Sequence, residues 1–367
     1  MERVAAFTDT YLPTVNGVTY TIASWRDRWE QDGGRMDVVY PGADGHRPSD
    51  GEHPVGSLPF PFYDGFRLGT PSVPKAVRNA EVVHAHTPFS LGLGGLRLAR
   101  DRDIPLVASY HTPTSEYADY VSPTDAVASM VGRISETYER WFFGRADAVL
   151  APSGATRDHL TEEVGVDTRV EVVPNGVDTE RFRPVDAESF VDRHDLPTDR
   201  LLVGYTGRHG YEKRLAELVA AAAGMDVTVV FGGDGPARED LESQAESLGA
   251  DARFLGFLDR EELAAFYSAL DVFAFPSPVE TQGLVALEAN ACGTPVVGAN
   301  AGALENTVVD GETGYHYESG DIEDFQRAIG RTLDERDALR ETCLARREGV
   351  SVERAVAKLR SVYEDLC

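Results

Sequence analysis

Short apolar runs alternate along this chain with longer stretches in which apolar positions recur at three- and four-residue spacing. The runs are strand-like and the stretches helix-like. In the first half the pattern predicts strands at 3–8, 36–40, 81–86, 105–110, 147–151 and 170–173, and helices at 18–31, 90–101, 125–143 and 154–163. The second half repeats the arrangement, with strands at 201–206, 227–231, 253–255, 272–275 and 295–297 and helices at 212–223, 236–248, 260–269, 284–292 and 321–335. Strands that alternate with helices pair in parallel, so each half reads as a doubly wound α/β sheet. The turn-forming cluster Val173-Pro-Asn-Gly-Val-Asp178, followed by a polar segment through about Arg200, reads as the linker. A chain of 367 residues is also long for a single core. Two such sheets facing each other would put their strand C-terminal ends, where ligands bind in this class, across a shared cleft.

The spacing of two glutamates carries the sharpest chemical signal. Glu280 and Glu288 lie in Pro276-Ser-Pro-Val-Glu280-Thr-Gln-Gly-Leu-Val-Ala-Leu-Glu288, between the predicted strands 272–275 and 295–297. With Glu280 in a loop and Glu288 one or two turns into the next helix, both carboxylates flank a helix N-terminus. Its N–H groups and dipole attract an anion such as a diphosphate. Carboxylates do not bind that anion; they suit the hydroxyl-rich groups on either side of it, a sugar and a ribose. A nucleotide-sugar has that layout. Arg208 and Lys213, in Gly207-Arg-His-Gly-Tyr-Glu-Lys213 after the predicted strand 201–206, can hold its diphosphate as charge grows on the leaving group. The alternative for that pair is a solvated charged loop.

Other groups leave two readings open. His111 ends the predicted strand 105–110, on the ligand side of such a sheet, where it can hydrogen-bond a sugar hydroxyl or be satisfied structurally by the next loop. His84 and His86 share a strand face by period two; a metal pair lacks a third ligand at sensible spacing, which favours a structural or cleft-lining role. Gly17 either lets backbone approach a phosphate at a helix N-terminus or belongs to an αL turn at Asn16-Gly17. Gly232-Gly-Asp-Gly235-Pro236 either frames a nucleotide or is a tight turn with proline at the first helical position.

Composition narrows the partners. A formal charge of −26 and a pI near 4.7 leave no basic stripe for nucleic acid. Of the 35 basic residues only Lys75, Lys213 and Lys358 are lysines, and acidic residues are spread along the whole chain. That reads as adaptation of a folded protein to high salt, the alternative being an ordinary acidic cytosolic protein. Cys292, Cys343 and Cys367 are far apart, which speaks against a disulfide framework or zinc site and suits a reducing cytosol. Met1 runs directly into a strand-like segment without a signal peptide, and no apolar run approaches the ~20 residues that span a bilayer. Membrane contact is expected to be peripheral.

Taken together, these segments resemble the retaining glycosyltransferases of family 4. The resemblance runs over Phe7–Thr19, His84–Gly92, Ser109–Tyr117, 174–178, Gly207–Lys213, Gly232–Pro236 and 276–297, and is most specific in the last. It implies an α/β GT-B fold of two doubly wound Rossmann-like domains facing a central cleft. The acceptor domain would be 1–180, the nucleotide-sugar domain 181–350, and 351–367 a helix returning to the first domain. It also implies catalytic roles for His111, Glu280, Arg208 and Lys213. Gly17, Arg208, Lys213, Glu280, Gly283, Leu284 and Glu288 would bind the donor, with Glu280 on the transferred sugar and Glu288 on the ribose. Neither metal nor cofactor is implied; the donor substrate would be UDP-glucose.

Within the family, Phe7-Thr-Asp-Thr-Tyr-Leu-Pro13, His86-Thr-Pro-Phe-Ser-Leu-Gly92, Tyr110-His111-Thr with Glu116-Tyr-Ala-Asp-Tyr120, and Gln282 are most similar to enzymes that glycosylate glycerolipids. A lipid acceptor at the inner face of the cell membrane follows from that similarity. The chain departs from it around 118–145. There Arg133, Arg140, Arg145 and Trp141-Phe-Phe143 mix with Asp119, Asp125, Glu136 and Glu139, which reads as a core-packed helix rather than a membrane anchor. The competing functions are a glycosyltransferase for a cell-surface glycan or protein-linked oligosaccharide, and a nucleotide-sugar epimerase.

Overall fold

Parallel strands buried on both faces need apolar residues throughout, and the central runs of this chain supply them. In the computed structural model, which describes residues 3–59, 67–111 and 135–367, those runs form two parallel sheets. Residues 116–120, and the expected helix up to 134, lie outside the described residues. The chain divides into two units, Met1–Gly176 with Val352–Cys367, and Val177–Ser351.

The sheet of the first unit has the order Glu52–Val55, Arg35–Pro41, Arg3–Phe7, Val82–Ala85, Leu106–Ser109, Ala148–Ala151, Val170–Val172. The strand Arg3–Phe7 pairs in parallel with both neighbours, so Ala6 stands beside Val38 on one side and His84 on the other. One face packs on the helix Ser90–Arg102 and on Phe142 of the helix at 135–143. The other is covered by the helices Gly17–Gln31 and Val352–Leu366, through Trp25, Trp29, Leu359 and Tyr363. The last helix is amphipathic, and its polar edges are tied down by Arg28–Glu353 at 2.6 Å and Arg360–Asp32 at 3.0 Å. The edge strand Glu52–Val55 was not expected from the pattern: Pro54 and the charge of Glu52 obscure it. Glu52 is nonetheless buried, paired with Arg26 at 3.2 Å.

The second unit has the order Ala252–Gly256, Val227–Gly232, Leu201–Thr206, Val272–Phe275, Val296–Ala299, Gly314–Tyr317. Several boundaries differ from the pattern. The polar segment before Arg200 is no mere linker: Phe182, Phe190 on the short helix Glu188–Arg193, and Leu196 are all buried in this unit's core. The helix expected at 212–223 begins at Leu215, so Lys213 lies in a preceding 3₁₀ turn. Pro236 precedes the helix Arg238–Leu248 by two residues instead of opening it. In the first unit the helix expected at 154–163 is Gly154–Asp158 followed by a wider turn, His159–Val164. None of the described helices is long and apolar enough to cross a membrane.

Both sheets reverse their strand order once. In the first unit the reversal lies between Arg3–Phe7 and Val82–Ala85, and in the second between Leu201–Thr206 and Val272–Phe275. At such a point the loops leaving the two strand C-termini diverge and open a crevice.

Candidate functional site

The reversal in the second sheet brings two loops together. One, Gly207–Arg214, leaves Leu201–Thr206; the other, Pro276–Gly283, leaves Val272–Phe275. The first loop is held by backbone. Gly207 N–H donates to Gly232 O at 3.1 Å, His209 N–H to Asp234 O at 2.8 Å, and Ala237 N–H to His209 O at 2.9 Å. This contact explains the glycine run at 232–235, since a Cβ on Gly233 would stand 2.0 Å from Gly207 O. The second loop is braced from behind by Ala303 N–H on Glu280 O, 3.1 Å, and by the Thr307 hydroxyl on Gln282 O, 2.5 Å. It ends at Gly283, whose φ of +75° turns the chain into the helix Leu284–Ala291.

Across the crevice Lys213 Nζ donates to Glu280 Oε1 at 2.7 Å, with both side chains largely sheltered. Arg208 lies in the same loop and pairs with Glu212 at 3.2 Å. Lys213 and Glu280 therefore meet at the loop that runs into the helix start at Gly283 and Leu284, which no side chain caps among the described residues, while Arg208 with its partner Glu212 lies on the loop of Lys213. The first-turn N–H groups of a helix have no carbonyl one turn earlier. Cations and amides together suit an anion with two phosphate groups, and the carboxylate suits a polyol beside it.

Glu288 stands in the second turn of that helix and accepts a hydrogen bond from the Tyr267 hydroxyl at 2.9 Å. Burial pushes its carboxyl up to about 7, although the Tyr267 bond and the charges of Arg260 and Arg181 pull it down. Near neutrality this carboxyl changes between an acceptor of hydroxyl hydrogens and a donor. The adjoining Cys292 thiol, pushed up to about 12 by burial, is inert.

The reversal in the first sheet gathers a second set. Asp9, leaving Arg3–Phe7, accepts from the hydroxyls of Thr87 at 2.6 Å and Ser90 at 2.7 Å, and from Leu91 N–H at 3.2 Å. It thus pins the loop before Gly17 to the start of the helix Ser90–Arg102. Burial still raises its carboxyl. Gly17 is exposed and opens its helix. Asn16 before it is extended, at φ −156°, and its side chain accepts from Thr19 N–H at 2.9 Å. Gly17 is not among the positive-φ residues, so the αL turn is replaced by an N-cap.

His84 uses both ring nitrogens, on Tyr363 at 2.6 Å and Ser109 at 2.8 Å, which removes it as a metal ligand. Its ring stacks on His86 at 3.9 Å, and His86 stacks on His111 at 5.3 Å. Burial holds His111 down to about 4, so at neutral pH it is an uncharged hydrogen-bonding ring.

In the second unit Lys213 meets Glu280, Arg208 lies on the loop of Lys213, and Gly283, Leu284 and Glu288 follow Glu280 into the helix; in the first, Gly17 opens the helix Gly17–Gln31, and His111, one strand beyond the reversal, meets His86. Sequence reasoning missed Glu212 as the partner of Arg208, Tyr267 as the partner of Glu288, and the brace from Ala303 and Thr307. Only Tyr267 left a trace in the sequence, as a polar-tipped ring on an apolar helix face.

Comparison with known proteins extends this picture. Residues 15–181 match the family described as Glycosyltransferase Family 4, and residues 186–346 match Glycosyl transferases group 1. The chain is 32% identical over 366 residues to a GDP-mannose-dependent alpha-mannosyltransferase of Mycolicibacterium smegmatis, covering 96% of this chain and 92% of that protein. It is 31% identical over 333 residues to the alpha-monoglucosyldiacylglycerol synthase of Streptococcus pneumoniae, covering 84% and 73%. Among solved structures, sucrose-phosphate synthase from Thermosynechococcus elongatus is similar at a TM-score of 0.81 and 22% identity, covering 100% of this chain and 99% of that one. Anabaena Alr3699/HepE in complex with UDP is similar at 0.77 and 19% identity, covering 100% of both. At those identities the solved structures speak for the fold.

Proposed function

The chain belongs to glycosyltransferase family 4, with the GT-B fold, and from that premise we propose that it moves a hexose from a nucleotide-sugar to a hydroxyl of a membrane glycerolipid, with retention at the anomeric carbon. The observation that carries this reading is the contact at the second sheet's reversal, where Lys213, on the loop that also carries Arg208, meets Glu280 at 2.7 Å just before the Gly283 helix start. Arg208 and Lys213 would neutralise the diphosphate, helped by the N–H groups of Gly283 and Leu284. Glu280 would accept from hydroxyls of the transferred sugar, and Glu288 from the ribose.

The transfer is proposed to run on one face of the sugar. The bond from the anomeric carbon to the diphosphate oxygen breaks, and a bond to the acceptor oxygen forms from the same side. The acceptor's proton passes to an oxygen of the departing diphosphate. Charge grows on that leaving group, so preorganised cations act most strongly there. The two side-chain cations supply the neutralisation that a divalent ion supplies at many diphosphate sites, and transfer should persist in EDTA. His111 would donate a hydrogen bond to the sugar.

UDP-glucose and a glycerolipid are the preferred substrates on the strength of the motifs at 7–13, 86–92 and Gln282, and of the name of the Streptococcus pneumoniae relative. A second reading, mannose from GDP-mannose, is favoured by the mycolicibacterial relative and its 96% coverage of this chain. Incubation with radiolabelled UDP-glucose, UDP-GlcNAc or GDP-mannose, with and without membrane lipid, separates the two. We expect label from UDP-glucose in the organic extract. Label arriving from GDP-mannose selects the second reading. Epimerised sugar nucleotide formed without any acceptor would refute glycosyl transfer.

A further inference from the structure

The three histidines at the first sheet's reversal form a layered array that the proposed reaction uses only at its outer member. His84 is fixed at both nitrogens by Tyr363 and Ser109. Trp25 stacks against His84 at 5.9 Å and leans on His86 at the same distance. His86 therefore sits in a rigid, wholly buried slot, and its Nδ1 lies 3.0 Å from Nε2 of His111 with the two ring planes only 10° apart. Its other nitrogen, Nε2, is buried with no hydrogen-bond partner among the described residues.

Burial keeps both rings neutral at pH 7, so each carries one hydrogen. The contact between them then allows two arrangements. In one, His111 donates its Nε2–H to His86, and the hydrogen of His86 must sit on Nε2, an N–H buried without an acceptor. In the other, His86 donates its Nδ1–H to His111, and only a bare ring nitrogen is left unmatched on His86. Orphaned buried N–H groups are the rarer defect, so the second arrangement prevails.

We propose that His86 is a positioning residue, which donates its Nδ1–H to Nε2 of His111 and thereby fixes His111 as the Nδ1–H tautomer. This inference rests on the proposed contact of His111 with the transferred sugar. Its consequence is that Nδ1 of His111 carries a hydrogen and Nε2 is engaged by His86, so that neither nitrogen acts as a base. The acceptor's proton must then leave by another route, which agrees with its proposed passage to the diphosphate oxygen.

The test is a ¹⁵N spectrum of the full chain labelled at histidine, with the His111 signals assigned by their loss in His111→Asn. A protonated Nδ1 and bare Nε2 on His111 are expected in the unsubstituted protein and in His86→Asn, whose amide can still donate. In His86→Phe the ring is kept and the donor lost, and Nε2 should carry the hydrogen in a substantial fraction. The turnover number should fall about 10- to 100-fold in His86→Phe with donor KM changed less than about threefold, and recover in His86→Asn. A protonated Nε2 on His111 in the unsubstituted protein overturns the proposal, as does an unchanged tautomer in a folded His86→Phe. The tautomer is read without substrate, so a chain inactive with every sugar nucleotide overturns the proposed transfer alone.

Discussion

At the scale of single residues, the most informative group is Glu288. Its carboxyl titrates near 7 because burial opposes ionisation more than Tyr267, Arg260 and Arg181 support it. Only the ionised form accepts two hydroxyl hydrogens at once, so nucleoside diphosphate binding should tighten as pH rises from 6 to 8. Calorimetric titration across that range checks it, and Glu288→Gln should flatten the dependence. The position of Glu288 was legible in the spacing: eight residues after a loop glutamate is one turn and a little more into a helix. Its titration was not, because Tyr267 lies on a different helix, Leu263–Ala269, brought alongside only by the fold. For the same reason Arg208 could be recognised as a cation after a strand, while its pairing with Glu212 at 3.2 Å depended on a turn whose shape the sequence left open.

At the scale of elements, the last helix, Val352–Leu366, decides how firmly the histidine array is held. Leu359 is fully buried on it, and Tyr363 carries the hydrogen bond to His84. Leu359→Ala should destabilise the first unit by about 2–5 kcal/mol, the usual loss for a buried leucine truncated to a methyl. Tyr363→Phe leaves a buried nitrogen of His84 unmatched and should cost about 1–3 kcal/mol. All three tryptophans, Trp25, Trp29 and Trp141, belong to this unit, so urea unfolding followed by tryptophan fluorescence reports on it selectively. An unshifted midpoint in Leu359→Ala would show that the helix does not brace the sheet. Strong periodicity made the long helices and central strands readable. The edge strands Glu52–Val55 and Gly314–Tyr317 escaped because short edge strands need few apolar residues and tolerate Pro54 or His316.

At the scale of the whole molecule, the reversal in the second sheet is flanked by the loops that carry Arg208, Lys213 and Glu280, and His111 follows the strand one beyond the reversal in the first. The alternation of strands and helices was enough to read two α/β units; the strand order, which puts loop 207–214 beside loop 276–283, came only with the structure. The histidine array also sets a pH limit on the first unit. The proton affinities of its rings lie below the ordinary value of 6.5, His111 at about 4. Between those values the unfolded chain binds protons that the folded rings refuse, so stability is full above about 6.5 and declines as pH falls toward 4. His111 alone accounts for a loss on the order of 3 kcal/mol by pH 4. Asp9, raised by burial, works weakly against this in the range above 3.8. Tryptophan-detected unfolding from pH 7 to pH 4 measures the decline; a flat profile would mean that the rings are not held neutral by burial.

In the proposed reaction Arg208 and Lys213 stabilise a departing diphosphate while a hexose is transferred with retention. That proposal is tested most directly by following an isotope-labelled hexose from its nucleotide into a new glycoside, with the unsubstituted chain and Arg208→Ala assayed side by side. A product whose anomeric configuration matches the donor's is expected, with a turnover number about 10²- to 10³-fold lower in Arg208→Ala, the scale of losing one preorganised charge partner in a transition state. An inverted product, or equal turnover in the two proteins, would contradict it.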